Sequence, residues 1–374
     1  MRKVLSYAAI FIVLHLLVVL FINFIPIEQL SFPLKENPRD YDPFLLYPLA
    51  GFDGAHYILL AKSGYGQFQQ AFFPLYPLLI NIWSRLTNYS ALLSGLVISW
   101  FALASGLIFF KKMIITIGEK NASLWSILFL LAFPSAFFYV ALYPESLFLF
   151  LSSASLYYIF RKEYPAAGIF AILASLAKIQ GVFLIIPFII SIAKEKTFSI
   201  KNLLLSFSPI YGLLIYSLYL ARNYGDPLLF YHTQEKFGAE RTSQGIILLP
   251  QVLFRYFKIL VTSQINFQYL IAVLELTVFA TVFAVLIFDL FKIIKNRTKN
   301  LDYLSINLYS ITVLLLPTLT GTLSSIPRYA LLSFGFFIAL ARIKNIVIKI
   351  TIALIFSIVH IIIFIYFLKG YFVS

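Results

Sequence analysis

The residues of this chain best suited to chemistry crowd into one short stretch. It reads Gly51-Phe52-Asp53-Gly54-Ala55-His56-Tyr57, then Ala61, Gly64-Tyr65 and Phe72-Phe73-Pro74-Leu75-Tyr76-Pro77. Asp53 precedes an apolar, helix-compatible run, Ala55 to Ala61, so its carboxylate suits either of two tasks. It can cap the helix by accepting a backbone N–H, or it can act as a general base toward a hydroxyl nucleophile. His56 and Tyr57 either pack that turn or contact a substrate. Further along, Glu145, Lys178 and Arg328 are charged residues flanking long apolar runs. Each also has a bland use: dipole complementarity at a helix start for Glu145, and snorkelling or headgroup anchoring for Lys178 and Arg328. Thiol chemistry is excluded because cysteine is absent, and the four histidines (His15, His56, His232, His360) lack metal-ligand spacing. Asp40-Tyr41-Asp42 comes nearest to a metal site but has no assignable third ligand, so no metal is expected.

Such residues need a frame, and the composition dictates a membrane. Of 374 residues 61% are apolar and 12% charged, about half the charged share of soluble domains. Apolar runs occur at 4–25, 91–110, 123–142, 145–160, 165–177, 181–193, 203–221, 269–291, 303–321, 329–341 and 346–368. We therefore expect an all-α polytopic membrane protein of about eleven transmembrane helices, a single membrane domain over 1–374. Residues 26–89 form a large first extracytoplasmic loop holding a short interfacial helix, and 222–268 form a second with an amphipathic run around Arg255 and Lys258. The runs 165–177 and 181–193 are short and read as a hairpin with Lys178-Ile179-Gln180 at its tip. With the N-terminus in the cytoplasm, 17 of the 29 basic residues fall on short inner loops against five of the 15 acids. The formal charge of +14 is thus mostly topology, and no nucleic-acid partner is expected.

The pattern Phe-Asp-x-x-His-Tyr-x-x-x-Ala-x-x-Gly-Tyr, followed by Phe-Phe-Pro-x-Tyr-Pro-Leu after one N-terminal span, resembles the PIG-V-type mannosyltransferases of the GT-C superfamily. Phe133-Pro134 with Tyr143-Pro144-Glu145-Ser146-Leu147-Phe148 looks like a second family segment, and Ser325-Ile326-Pro327-Arg328-Tyr329 is similar to its late Pro-Arg-Tyr. Lys178-Ile179-Gln180-Gly181 stands where the family has Arg-x-x-Gly, a departure that trades a two-pronged donor for a point charge. The resemblance implies a GT-C-like fold and transfer of a hexose, typically mannose, from a polyprenyl or dolichyl phosphate to an acceptor outside the cytoplasm. On that likeness Asp53 matches the catalytic aspartate and Arg328 and Lys178 would bind the donor phosphate. His56, Tyr57, Gly64, Tyr65, Pro74, Tyr76 and Glu145 would bind substrate or shape the site. No cofactor is implied; the partners are membrane lipids, the lipid-linked donor and a glycan, glycolipid or protein acceptor, with an accessory subunit left open. The host membrane would be the plasma membrane in a prokaryote and the endoplasmic reticulum in a eukaryote.

The competing reading from another class is a multi-spanning transporter or lipid-linked sugar flippase without transferase activity. A transport path needs polar groups along the membrane interior, and Glu275 is the conspicuous one here. Asp226, in Gly225-Asp226-Pro227, reads as a turn former.

Overall fold

The computed structural model describes residues 1–30, 42–196, 198–237, 241, 245–295 and 300–373. Asp40, Tyr41, Arg297 and Lys299 lie outside the described residues. All regular elements among the described residues are helical. In chain order they are α1 (Arg2–Phe21), α2 (Asp53–Ser63), α3 (Leu75–Thr87), α4 (Ala91–Thr116), α5 (Ser123–Ala132), α6 (Glu145–Phe160), α7 (Tyr164–Ala177), α8 (Ile185–Glu195), α9 (Ile200–Ser206), α10 (Ser208–Tyr224), α11 (Leu229–His232), α12 (Leu249–Thr262), α13 (Phe267–Lys295), α14 (Leu301–Leu315), α15 (Ile326–Ala330), α16 (Phe334–Ala341) and α17 (Ile346–Leu368), with short 3-10 turns between several of them.

Five helical stretches are long and apolar enough to cross a bilayer: Arg2–Phe24, Ala91–Thr116, Phe267–Lys295, Leu301–Thr320 and Ile346–Leu368. Two bent pairs raise the count to seven if each is one span, Phe44–Ala50 with α2 at 108° and α9 with α10 at 54°. The expected eleven would require shorter helices to cross too. Proline explains part of the difference. The expected run 123–142 stops at α5 because Phe133 precedes Pro134 and is driven to extended geometry (φ −57°, ψ 143°). The run 329–341 breaks without a proline, at Leu331–Ser333, between α15 and the eight-residue α16.

The helices pack through small residues, as membrane helices do when apolar burial alone gives them no reason to associate. α4 lies on α6, α6 on α7 and α7 on α10. A Cβ on Gly106 of α4 would stand 2.9 Å from Leu149 and 3.0 Å from the Phe150 backbone of α6. At the hairpin tip, Gly181 is closer still, since its Cβ would fall 2.4 Å from Ser175 N. The tip folds tightly back on α7 only because residue 181 has no side chain.

Residues that the charge pattern groups on one side meet one another. Lys194 pairs with Asp302 (2.7 Å), Lys162 with Glu195 (2.6 Å), and Arg342 stands 3.5 Å from Glu119 and 3.6 Å from Asp289. The groups assigned to the opposite side, Asp53, Glu145, Lys178 and Arg328, also converge. Each of these ion pairs joins residues that the charge pattern assigns to the same side.

Candidate active site

Asp53 opens α2, but its side chain caps nothing. The residue before it, Phe52, has φ 56°, a left-handed conformation that costs a bulky residue of order 1–3 kcal/mol. The turn is held by the segment before α6. Tyr143 donates its O–H to Gly51 O (2.8 Å), and Leu142 N–H donates to Leu49 O (2.9 Å). Asp53 is thereby aimed across the molecule, where Arg328 Nη1 donates to its Oδ2 at 2.6 Å.

Arg328 is carried on α15 after a second left-handed residue, Ser325 (φ 67°). Its guanidinium side chain is 12% exposed and its Nε lies 3.7 Å from Glu145 Oε1. The rings of Phe138, Tyr143 and Tyr329 stand 5.5–5.7 Å from its Cζ. Glu145, at the start of α6 and 1% exposed, accepts from Lys178 Nζ at 2.6 Å. Four charges thus form a chain, Asp53, Arg328, Glu145, Lys178, in which each acid touches a base. Neither Lys178 nor Arg328 is a free lipid anchor. Asp53 caps no backbone N–H, Lys178 and Arg328 are held in ion pairs, and Glu145, in the first turn of α6 where it also suits the helix dipole, accepts from Lys178.

The chain lines one side of a cavity of about 450 Å³, within the range usual for small-molecule sites. Tyr57 and Gln180 complete this polar part, while Ile246, Leu316, Pro317, Leu319 and Phe372 form an apolar part. Glu145 Oε2 and Gln180 Oε1 are buried acceptor oxygens without a hydrogen-bond partner among the described residues. A third cation, Arg241, also lines the cavity, and its described partners are neutral: Gln234 Oε1 and Ser325 Oγ, each at 3.4 Å. Ile246 lines the same cavity as Arg241, and next to it Ile247 N–H donates to Leu319 O at 3.1 Å. Counting Lys178, Arg241 and Arg328 against Asp53 and Glu145, the lining carries one surplus positive charge.

No family profile matches the chain, and no curated protein matches it. It is similar to two crystal structures of the Archaeoglobus fulgidus oligosaccharyltransferase, one in the apo form and one tethered with an acceptor peptide containing the NVT sequon via a disulfide bond. Both are 13% identical and match over 98% of this chain, with 56% and 55% of the archaeal chain covered and TM-scores of 0.49 and 0.46. The chain spans about half the length of those structures.

Of the remaining motif residues, Tyr57 lines the cavity and the others named for the site do not. His56 stacks on Phe72 (5.0 Å between centroids) with its Nδ1 3.3 Å from Gln69 Nε2, outside the cavity lining. Tyr57 faces the cavity and packs edge-on against Phe72, Tyr76 and Tyr143. Gly64 ends α2 at φ 75°, with space around it. Pro74 precedes α3, and Tyr76 is fully buried, donating to Gly95 O at 3.0 Å and lying 2.8 Å from Ser99 Oγ. Tyr65 donates to Phe72 O (2.8 Å) and lines a separate surface cleft. None of these last four lines the cavity of Asp53. Arg241 and Gln234 do reach it without having been singled out, while Tyr329 was noted only within the Pro-Arg-Tyr segment and Gln180 only as part of the hairpin tip. Among the described residues no group of three metal-ligating side chains occurs.

Proposed function

We propose that this chain is a membrane glycosyltransferase. It transfers a hexose, mannose by the likeness of its motifs, from a polyprenyl or dolichyl phosphate to an acceptor hydroxyl on the extracytoplasmic or luminal side. The observation that carries the reading is the union, in one cavity, of a carboxylate, surplus positive charge and an apolar part. A sugar on a lipid phosphate asks for these three together: a base for the incoming hydroxyl, cations for the departing phosphate, and apolar contact for the prenyl chain.

In the proposed reaction the acceptor oxygen forms a bond to the anomeric carbon as the carbon–oxygen bond to phosphate breaks. The electron pair leaves with the lipid phosphate, and the hydroxyl proton passes to Asp53. Oδ2 of Asp53 is engaged by Arg328, while Oδ1 has no hydrogen-bond partner among the described residues and is the oxygen left to take that proton. A single displacement with one base inverts the anomeric centre, without the second, nucleophilic carboxylate of a retaining mechanism. Glu145 Oε2 and Gln180 Oε1 suit a polyhydroxylated substrate because each can accept a sugar O–H.

The test is incubation of the purified chain with labelled polyprenyl-phosphate sugars and a panel of glycan, glycolipid and peptide acceptors. Transfer of label with release of the lipid phosphate is expected. Lipid binding with translocation across vesicles and no transfer would instead favour a transporter.

A further inference from the structure

Glu275 lies within α13, 5% exposed, and takes no part in the reaction above. A carboxylate inside a membrane-spanning helix is costly and calls for a use. One of its oxygens binds the segment that delivers Arg328, and the other binds a tyrosine of α12 that itself bonds that segment. Oε1 accepts the backbone N–H of Ser325 at 3.3 Å, and Oε2 accepts the Tyr256 O–H at 2.6 Å. Tyr256, on the buried face of α12, in turn accepts the N–H of Leu323 at 3.1 Å and stands 3.3 Å from Thr322 Oγ1. Ser324 N–H is taken by Thr322 Oγ1 at 3.1 Å. Residues 322–325 are an irregular buried segment, and these bonds supply acceptors that a helix would otherwise provide.

The consequence lies three residues on. Ser325 holds the left-handed conformation (φ 67°), and its carbonyl accepts the N–H of Arg328 at 3.0 Å. The orientation of α15, and with it the direction of the Arg328 side chain, follows from the Ser325 turn. Ser325 Oγ is also the acceptor for Arg241 Nη2. We infer that Glu275, with Tyr256, is a positioning group that sets the Ser325 turn and so holds Arg328 against Asp53. This rests on the proposed transfer only for its kinetic readout, because the positioning itself is measurable without activity.

The activity-free measurement is a double-mutant cycle on thermal unfolding of the full chain in lipid nanodiscs. Asp53→Asn and Arg328→Lys are made singly and together, first with Glu275 present and then in a Glu275→Leu background. The expected result is a clear coupling between residues 53 and 328 that shrinks at least threefold once Glu275 is replaced. Unchanged coupling in the Glu275→Leu background overturns the inference. Glu275→Gln, which retains one acceptor oxygen and an amide that can donate to the Tyr256 oxygen, should keep most of the coupling; if it loses as much as leucine, the carboxylate is not acting through these bonds. The kinetic arm separates the two readings. In an active wild type, Glu275→Leu should lower turnover about tenfold or more with little change in donor KM, and should add little in an Arg328→Lys background. Additive losses overturn the positioning role while leaving the transferase reading standing, and an inactive wild type with intact coupling does the reverse.

Discussion

Arg328 and Asp53 are 275 residues apart in sequence and 2.6 Å apart in space. Their pairing joins the first residue of α2 to the short helix α15. Glu145 extends the contact to Lys178, so the site is a buried network whose members compensate one another. Removing one partner of such a network costs about 3–5 kcal/mol, mostly because the other charge is stranded. Arg328→Ala should therefore lower thermal stability markedly. Arg328→Lys keeps the charge but loses the planar fork; it should accumulate normally and turn over more than 10-fold more slowly. Wild-type kinetics in the lysine variant would remove Arg328 from the chemistry.

Asp53→Asn distinguishes a base from a structural partner. Asparagine retains an oxygen that can accept from Arg328 but has no basicity, so folding should persist while transfer falls about 100-fold or more. Wild-type transfer by this variant would dismiss Asp53 as the base.

The Glu145–Lys178 pair gives a stability prediction free of assumptions about the reaction. Lys178→Met leaves Glu145, 1% exposed, with only Arg328 Nε at 3.7 Å and should destabilise the chain by at most about 3–5 kcal/mol. Adding Glu145→Gln should recover more than half of that loss in the melting temperature. If the double variant is as unstable as the sum of the singles, the pair is not coupled.

Much of the site was legible because polar residues are so scarce in this chain. Asp53, Glu145, Lys178 and Arg328 stood out against apolar sequence, and all four line the cavity. Their pairing was not legible, because nothing local in the sequence records which distant charges meet. Asp226 behaves as its Gly-Asp-Pro setting suggests: Oδ1 accepts the Leu228 N–H, and Oδ2 takes a hydrogen bond from His232 that holds the carboxyl below its ordinary range. Glu275 was visible as an oddity, but its partner Tyr256 sits on a different helix and looked like one aromatic among many. Arg241 lay in a polar, aperiodic stretch that offers no geometric expectation. The ranges 145–160 and 346–368 coincide with α6 and α17, whereas 123–142 contained its own warning in Pro134.

The pairing of charges within each assigned side leads to a topology prediction. Every short loop on the Lys162, Lys194 and Arg342 side is basic, which favours the cytoplasm for that side and for Met1. A reporter active only in the cytoplasm should be silent when fused after Ser374 and active when fused in the 292–301 connection. The opposite pattern would invert the assignment and place Asp53 inside the cell.

The donor phosphate meets three cations, and their partners rank them. Arg328 and Lys178 each hold a carboxylate at 2.6 Å, and drawing either toward a phosphate weakens that ion pair. Arg241 also lines the cavity, and among the described residues its hydrogen bonds go to neutral side chains at 3.4 Å, so it can turn to a donor phosphate without giving up an ion pair. Arg241→Gln should therefore raise the KM for the lipid-phosphate donor about 10-fold or more while leaving kcat within about threefold, since a charge-assisted hydrogen bond contributes about 1.5–3 kcal/mol. Titrating the variant with polyprenyl phosphate and with uncharged polyprenol tests the cause: its preference for the phosphate should shrink while polyprenol binding stays. An undiminished preference would return the phosphate to Arg328 and Lys178, at the expense of the ion pairs they make here.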